Sequence, residues 1–344
     1  ARVCKPATPP THTDQLISAI YQGDFAEVER LTNTTYTQQP VDPDGLTPLM
    51  AAASLGRLKT LIFLLSKKAD IHARDALGNT ALSHATAGGM VSVMSSLLDS
   101  GSRVNTANNQ GCTALHIASH IGSVRCLNIL LKKGARINLT SINSLTTLHE
   151  AVHSGKTHAT LLLLRAGADA NTPTAHLYAP LHFATAIGSA DTCALLLIAG
   201  ADPFALDSTD DTPIKIAAIQ QDLLCNTFTE FRPSLDLSFK DANGDTLLHF
   251  SAREENENFE WLVHNGADIT AANAVGETPL HSGVCEGRRL HRNELIDNRS
   301  EMLHVVCLAA CLSREFLVAD RADLRSLTVL ELSDLRVYAD PETG

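Results

Sequence analysis

The chain has 344 residues, 44% of them hydrophobic and 4% aromatic, and its 27 basic and 38 acidic side chains leave a formal net charge of −11. This acidic balance argues against general binding to the phosphate backbone of nucleic acids. No run of about 18 apolar residues predicts a membrane span, and residues 1–6 lack the hydrophobic core of a signal peptide. We therefore expect a protein of the cytoplasm or the nucleus that binds neither nucleic acid nor membranes.

The eight cysteines agree with a reducing compartment. They include no C-x-x-C pair, so a disulfide framework or a zinc ribbon is a poor interpretation. Reduced, mostly buried thiols are the expectation. The positions are Cys4, Cys112, Cys126, Cys193, Cys225, Cys285, Cys307 and Cys311.

In chain order, residues 1–13 are predicted to be disordered, and a helix pair follows between Leu16 and Leu31. From there a T-P-L-H-like tetrad recurs in five steps of 33 residues, one of 34 and one of 32. This period predicts a linear array of stacked units, each of which is unable to bury its apolar face alone. The tetrads begin at Thr47, Thr80, Thr113, Thr146, Ala179, Thr212, Thr246 and Thr278.

The copy at residues 111–138 indicates how each unit folds. Thr113 begins a first helix that Gly122 ends, and Ser123 begins a second helix that Gly134 ends. Paired leucines in the second helices predict a continuous core. Small residues keep the first helices thin, and we expect these first helices to line a concave side of the stack. The leucines are Leu97, Leu98, Leu127, Leu130, Leu131, Leu163, Leu164, Leu196 and Leu197, and the alanines include Ala51, Ala85, Ala118, Ala151 and Ala184.

The residues around the tetrads resemble ankyrin repeats. The resemblance rests on residues 44–49, 109–116 and 276–281, and on the G-A-D endings that begin at Gly167, Gly200 and Gly266. It extends over about residues 14–287 in eight copies in register, which makes it far more specific than a single motif. It implies an all-α ankyrin-repeat solenoid of about nine helix-pair units with β-turn tips.

Histidine occupies the fourth tetrad position in several copies, where ankyrin histidines tie one repeat's turn to the next. We therefore predict a structural role for His116, His149, His182, His249 and His281 rather than metal binding or acid–base catalysis. Residues 241–245 resemble the start of a calcium loop, but Ala252 stands where the loop needs a glutamate. His281, Cys285 and His291 lack a fourth zinc ligand. No catalytic motif occurs, and we predict no enzyme activity, metal or cofactor.

Partner-binding residues in this family come from turn tips and exposed first-helix positions. Among them, Ile121, Ile187 and Ile219 stand where polar residues are usual, which predicts contact with a partner, and the alternative is packing against the next repeat. The tip candidates are Arg74, Asp75, Asn108, Gln110, Asn143, His176, Tyr178, Asp207, Asp210, Lys240 and Asp241. The other first-helix candidates are His120, His153, Arg253 and Glu254.

Two departures from the repeat pattern predict irregular structure. Lys68 occupies the C-terminal glycine position of its repeat, which implies some backbone strain. Residues 220–239 lose both the interhelix glycine and the final G-A-D. We interpret repeats six and seven as distorted and expect this region to contribute to partner specificity.

The repeat register stops after residue 287, and residues 288–344 are predicted to form a short helical C-terminal tail. Leu303, Cys307 and Cys311 fall at i, i+4 and i+8 on one helical face. This resembles the L-x-x-x-C-x-x-x-aliphatic helix of a SOCS box, which docks Elongin C, although Cys311 replaces the aliphatic residue. Leu335 and Tyr338 match the L-x-x-Y of the segment that selects a cullin, but the two prolines usual in that segment are missing.

Together these features resemble the ankyrin-repeat and SOCS-box family. The resemblance implies an adaptor of a cullin-RING ubiquitin ligase, in which the concave face binds a substrate protein and the tail binds Elongin B/C and a cullin. The alternative is an ankyrin-repeat scaffold or inhibitor whose C-terminal helices only cap the stack.

Overall fold

The computed structural model describes residues 12–34, 45–220, 224–231, 235–254 and 258–285. Within these ranges the chain forms α-helices, joined by turns that include two isolated β-bridges. None of these helices has the length and apolar character needed to cross a bilayer. The helices are α1 (His12–Gln22), α2 (Phe25–Thr34), α3 (Pro48–Ser54), α4 (Leu58–Ser66), α5 (Ala81–Ala87), α6 (Val91–Asp99), α7 (Ala114–Ile121), α8 (Val124–Lys132), α9 (Thr147–His153), α10 (Thr157–Arg165), α11 (Pro180–Ile187), α12 (Ala190–Ile198), α13 (Pro213–Ile219), α14 (Leu224–Phe231), α15 (Leu247–Glu254), α16 (Asn258–His264) and α17 (Pro279–Cys285).

Two predicted segments fall largely outside the described residues. The tail at 288–344 lies wholly outside them, and with it the docking residues Leu303, Cys307, Cys311, Leu335 and Tyr338. Most of segment 1–13 lies outside as well. Helix α1 begins at His12, where the sequence predicted disorder through residue 13.

The described residues divide into two compact units. The first unit comprises residues through Ile187 together with Asp191–Asp202, and the second comprises Gly188–Ala190 and the residues from Pro203 onward. In the first unit, α1, α3, α5, α7, α9 and α11 pack in that order, as do α2, α4, α6, α8 and α10. In the second unit, α15 packs between α13 and α17, and α14 packs on α16. Each unit is a stack of helix pairs, which confirms the predicted all-α repeat architecture.

Threonine begins the first helices because its side chain caps them. The hydroxyls of Thr47, Thr80 and Thr212 accept a hydrogen bond from the backbone N–H three residues on, at 3.3, 3.4 and 3.2 Å. Each bond satisfies one of the N–H groups that a helix leaves without an internal partner.

The tetrad histidines link successive repeats, as the sequence predicted. His149 Nδ1 accepts a hydrogen bond from Thr146 N at 3.1 Å, and His149 Nε2 contacts Tyr178 O in the next turn at 3.1 Å. His116 and His249 repeat this arrangement, with Nε2 at 3.3 and 3.0 Å from a carbonyl of the following turn. Because Nδ1 accepts and Nε2 donates, each ring is neutral. Burial lowers the pKa of His149 to about 4.

The core differs from the expectation in one respect. Alanines of the first helices, such as Ala118 and Ala151, are fully buried, as predicted. In most predicted pairs only one leucine is fully buried: Leu130 and Leu163 are, whereas their neighbours Leu131 and Leu164 are half-buried. The exception is the pair Leu196 and Leu197, in which both are buried. The second leucine follows the first by one residue, about 100° around the helix, and so lies at the edge of the buried face.

Non-glycine residues occupy several left-handed turn positions. Lys68 has φ 64°, which confirms the strain expected there. Ser144, Leu177 and Asp210, with φ near 60°, occupy the tip position that Gly45, Gly78 and Gly111 hold in earlier repeats. These three substitutions were not among the departures predicted from the sequence.

The irregular region after α13 replaces the usual glycine turn with hydrogen bonds from a side chain. Helix α13 ends at Ile219, and Gln220 follows in an extended conformation with φ −70° and ψ 152° instead of a left-handed glycine turn. The buried Asn258 Nδ2 donates to Ala217 O at 3.0 Å and to Gln220 O at 2.7 Å. This side chain supplies donors to carbonyls at the end of α13.

Candidate partner-binding surface

Exposed isoleucines stand at the C-terminal ends of the first helices. Ile121, at the end of α7, is 41% exposed, and Ile187, at the end of α11, is 47% exposed. Ile219, at the end of α13 in the second unit, is 36% exposed. The exposed positions predicted for these side chains are therefore confirmed. Their binding to a partner remains a prediction.

A polar network lies beside Ile121. His120 Nδ1 is 3.2 Å from Glu150 Oε2 and 2.9 Å from Ser154 Oγ, so that α7 and α9 are joined at their exposed ends. The His120 side chain is 61% exposed, whereas that of Glu150 is largely covered. The imidazole is therefore held in place while its surface stays open to a partner.

Aromatic side chains continue this surface from α9 to α11. The ring of Phe183 meets those of His149, His153 and Tyr178 edge to face, with centroid distances of 5.7, 5.6 and 5.8 Å. Phe183 is half-buried and His153 is exposed. Such edge-to-face pairs stabilise a fixed arrangement of the rings.

We define the first-helix surface of the first unit as His120, Ile121, His153, Phe183 and Ile187. It combines exposed apolar side chains with imidazoles that donate or accept hydrogen bonds, which is the composition of a protein-binding site. In the residues that the structure describes, no group of three or more His, Cys, Asp or Glu side chains is placed to hold a metal ion. Burial raises the pKa of the Cys193 thiol to about 11, which makes it a poor nucleophile at neutral pH.

Two family models match the repeated helix pairs. The model described as "Ankyrin repeats (3 copies)" matches residues 67–141 and 181–273, and the model "Ankyrin repeat" matches residues 44–76. Together they cover more than half of the chain. The chain belongs to the ankyrin-repeat proteins. Its ankyrin repeats form a protein–protein interaction module.

Two known proteins are similar to this ankyrin-repeat chain. The crystal structure of the human ASB11 ankyrin repeat domain matches with a TM-score of 0.56 and 27% sequence identity, over 65% of this chain and 99% of that domain. Potassium channel AKT2/3 of Arabidopsis thaliana is 35% identical over 74 residues, which are 22% of this chain. The match spans only 9% of the channel.

Several predicted tip residues are engaged within the ankyrin turns. The carboxylate of Asp75 accepts from Asn79 N at 2.7 Å and lies 2.9 Å from His84 Nε2. Burial alone would raise the pKa of Asp75, but these hydrogen bonds outweigh it and hold the pKa below its usual value. Asn108 Oδ1 and Asp241 Oδ1 accept backbone N–H groups of their own turns in the same way.

Asp207 is a correction to the sequence analysis. It was expected to be exposed at a tip, but its side chain is buried, and Oδ1 accepts from Thr209 N at 2.7 Å and from Asp211 N at 3.0 Å. Asp and Asn side chains at the first position of a turn accept backbone N–H groups of the same turn, which draws the Asp207 carboxylate inward.

Two predicted arginines also contact the protein itself. Arg74 donates to Gly78 O at 3.1 Å and to Ala107 O, which joins two successive tips. Arg253 pairs with Asp245 at 2.7 Å, and its side chain is only 28% exposed. The remaining tip candidates are half-buried Tyr178 and exposed Gln110, Asn143, His176, Asp210 and Lys240, and Glu254 is exposed at the end of α15.

Other surface residues were missed by the sequence analysis. Phe183 and Glu150 both stand four residues after the start of their tetrads, a register position that faces the first-helix surface. At the tips, the exposed fractions of Leu77 and Ile142 are 67% and 70%. An apolar residue within a turn of polar residues was the signal that could have identified these two.

Proposed function

We propose that this chain is the substrate-recognition adaptor of a cullin-RING ubiquitin ligase. The first-helix surface binds a substrate protein, and the tail binds Elongin B/C through Leu303, Cys307 and Cys311. Leu335 and Tyr338 select the cullin. The adaptor then raises the effective concentration of ligase at the substrate by physical connection, so that the chemistry belongs to its partners.

The exposed isoleucines are the observation that carries the substrate-binding half of this proposal. Because 36–47% of each isoleucine is exposed, covering one contributes roughly 1 kcal/mol by apolar burial. The imidazoles of His120 and His153 lie beside them and supply the polar rim that gives an interface its specificity. Apolar anchors within a polar rim are typical of the residues that dominate binding energy.

The ligase-binding half rests on the sequence of the tail. Its support is the order of the two segments, their position after the repeats and the spacing of the side chains that match. The similarity to the human ASB11 ankyrin repeat domain concerns the repeats alone. It therefore supports the substrate-binding half and does not bear on the tail.

The two halves are tested by reciprocal variants of the full chain. Leu303→Pro/Cys307→Pro changes only the tail, and Ile121→Glu/Ile187→Glu changes only exposed side chains of the repeats. The tagged proteins are incubated with purified Elongin B/C, and the retained complex is quantified. Parallel proximity labelling in cells identifies proteins bound by each variant.

We expect the isoleucine variant to retain Elongin B/C and to lose a set of labelled proteins, whereas the tail variant keeps that set and loses Elongin B/C. If the wild-type chain does not retain Elongin B/C, the adaptor proposal is wrong and the scaffold alternative replaces it. If the isoleucine variant labels the same proteins as the wild type, the first-helix surface is not the binding site.

A further inference from the structure

A groove lies between the second helices α8 and α10 of the first unit, on residues that the first-helix surface does not use. Its volume is about 490 Å³. Val124, Asn128 and Leu131 line it from α8, and His158, Leu161, Leu162, Arg165 and Ala166 line it from α10 and the residue that follows. On each helix these residues recur at three- and four-residue spacing, so each helix presents one continuous face to the groove.

The groove has an apolar floor and polar edges. The side chains of Val124, Leu131 and Leu162 are half-buried, so their apolar surface is partly covered by the protein and partly open to the groove. Asn128 and Arg165 are exposed at the edges. From Val124 to Leu131 the row extends over two helical turns, about 10 Å. This is the length over which a short amphipathic helix presents two or three apolar side chains.

The chain segment that forms the groove has a charge opposite to that of the whole chain. Residues 103–165 contain seven Lys and Arg side chains and one carboxylate, a balance of +6 in a chain of net charge −11. The carboxylate, Glu150, contacts His120 on the first-helix surface. The seven basic residues are Arg103, Arg125, Lys132, Lys133, Arg136, Lys156 and Arg165.

Three basic side chains on the helices of the groove are available to a partner, and one of them, Arg165, lines it. In the described part of the chain, Lys133 pairs with Asp99 at 2.7 Å, but Arg125, Lys132 and Arg165 form no ion pair. These three stand on the two helices that enclose the groove, and all are exposed. A ligand with carboxylates flanking an apolar row would meet complementary charge on both sides.

We propose that the groove between α8 and α10 binds an acidic amphipathic helix of a partner protein. Leucine-type side chains of that helix cover Val124, Leu131, Leu161 and Leu162, and its carboxylates face Arg125, Lys132 and Arg165. A single-stranded nucleic acid fits the site less well, because the lining is mainly aliphatic and His158 is the one lining ring on which a base could stack. The inference does not depend on the adaptor role.

Three labelled peptides of about 16 residues test this proposal against the full chain by fluorescence anisotropy. The first has leucines at i, i+3, i+4 and i+7 with glutamates elsewhere, the second replaces the glutamates with glutamine, and the third replaces the leucines with serine. We expect the first peptide to bind at least about tenfold more tightly than either control, with affinity that falls as salt is raised.

The protein variants are matched in charge. Arg125→Glu/Arg165→Glu reverses two exposed charges at the groove and should weaken binding of the first peptide about tenfold or more. Arg103→Glu/Arg136→Glu makes the same charge change at exposed sites outside the groove and should leave most of the affinity. Circular dichroism checks that both variants fold.

Three outcomes would overturn the proposal: no binding of the acidic peptide, equal binding of the acidic and glutamine peptides, or equal loss in both charge variants. Binding of the full chain to vesicles that contain anionic lipid is measured as a further test. Binding to those vesicles without binding to the acidic peptide would assign the basic region to a membrane surface and would also overturn the proposal.

Discussion

Helix α7 of the first unit and helix α13 of the second unit end in different ways. In the first unit, α7 ends at Gly122, whose left-handed backbone with φ 78° lets its N–H bond to Ala118 O and Ser119 O. In the second unit, α13 has no such glycine, and Asn258 reaches from α16 to carbonyls at its end. The repeat thus tolerates loss of a consensus glycine where a buried side chain supplies hydrogen-bond donors instead.

The units also differ in what they offer to a partner. The first unit carries the first-helix surface and the basic groove. In the second unit, a basic side chain at a first-helix end is turned inward, since Arg253 pairs with the covered carboxylate of Asp245. Burial alone would raise the pKa of Asp245, but hydrogen bonds from Asn273 and Arg253 outweigh it and lower the pKa. The Arg253 side chain, 28% exposed, is thus less accessible to a partner than the His120 side chain of the first unit, which is 61% exposed.

The largest expected effect is a loss of stability at low pH, caused by the buried His149 of the first unit. The folded pKa of His149 is about 4 and its ordinary value is 6.5. Between these values the unfolded chain binds a proton that the folded chain does not, so the free energy of unfolding should fall by roughly 3 kcal/mol as pH drops from above 6.5 to 4. Urea unfolding across this range measures the loss.

The variant His149→Gln should be less stable at pH 7 but should show a smaller loss on acidification. Asn143→Ala removes no titratable group and serves as the control, with a pH dependence like that of the wild type. An unchanged pH dependence in His149→Gln would contradict the assignment.

The next largest effect is expected for Asn258, which takes the place of the helix-ending glycine at α13 in the second unit. Asn258→Ala leaves two backbone carbonyls without this donor, and we expect a loss of about 2–3 kcal/mol in the free energy of unfolding. Denaturant unfolding measures it. Asn143→Ala, at an exposed tip of the first unit, should change stability by less than about 0.5 kcal/mol. Equal effects from the two variants would show that Asn258 has no special role.

The smallest effect concerns turn tips. Leu177 is half-exposed with φ 61°, so Leu177→Gly should relieve left-handed strain and stabilise the chain by about 0.5–1 kcal/mol. Gly111→Ala is the reverse case, because a Cβ there would stand 3.0 Å from Ser141 Cα at φ 78°. It should destabilise by more than about 1 kcal/mol. Thermal unfolding compares them, and destabilisation by Leu177→Gly would contradict the interpretation.

Most features that were predicted correctly follow from sequence patterns within one repeat or between neighbouring repeats. Threonine caps, tetrad histidines and the strain at Lys68 followed from register because each depends on residues within one repeat or the next. Exposure of Ile121 and Ile187 followed for the same reason. Asp207 was misplaced because the repeat register assigned it to a tip but does not show that the turn uses its carboxylate to bind backbone N–H groups.

By itself, the sequence determined the repeat, the helix pairs and the histidine links, since contacts in such a stack join neighbouring repeats and return at a constant spacing. Only the tertiary structure decided that Asn258 lies against α13, that Phe183 packs among histidines and that a basic groove separates α8 from α10. These features depend on how side chains from different helices fill the space between them, which no periodic pattern specifies.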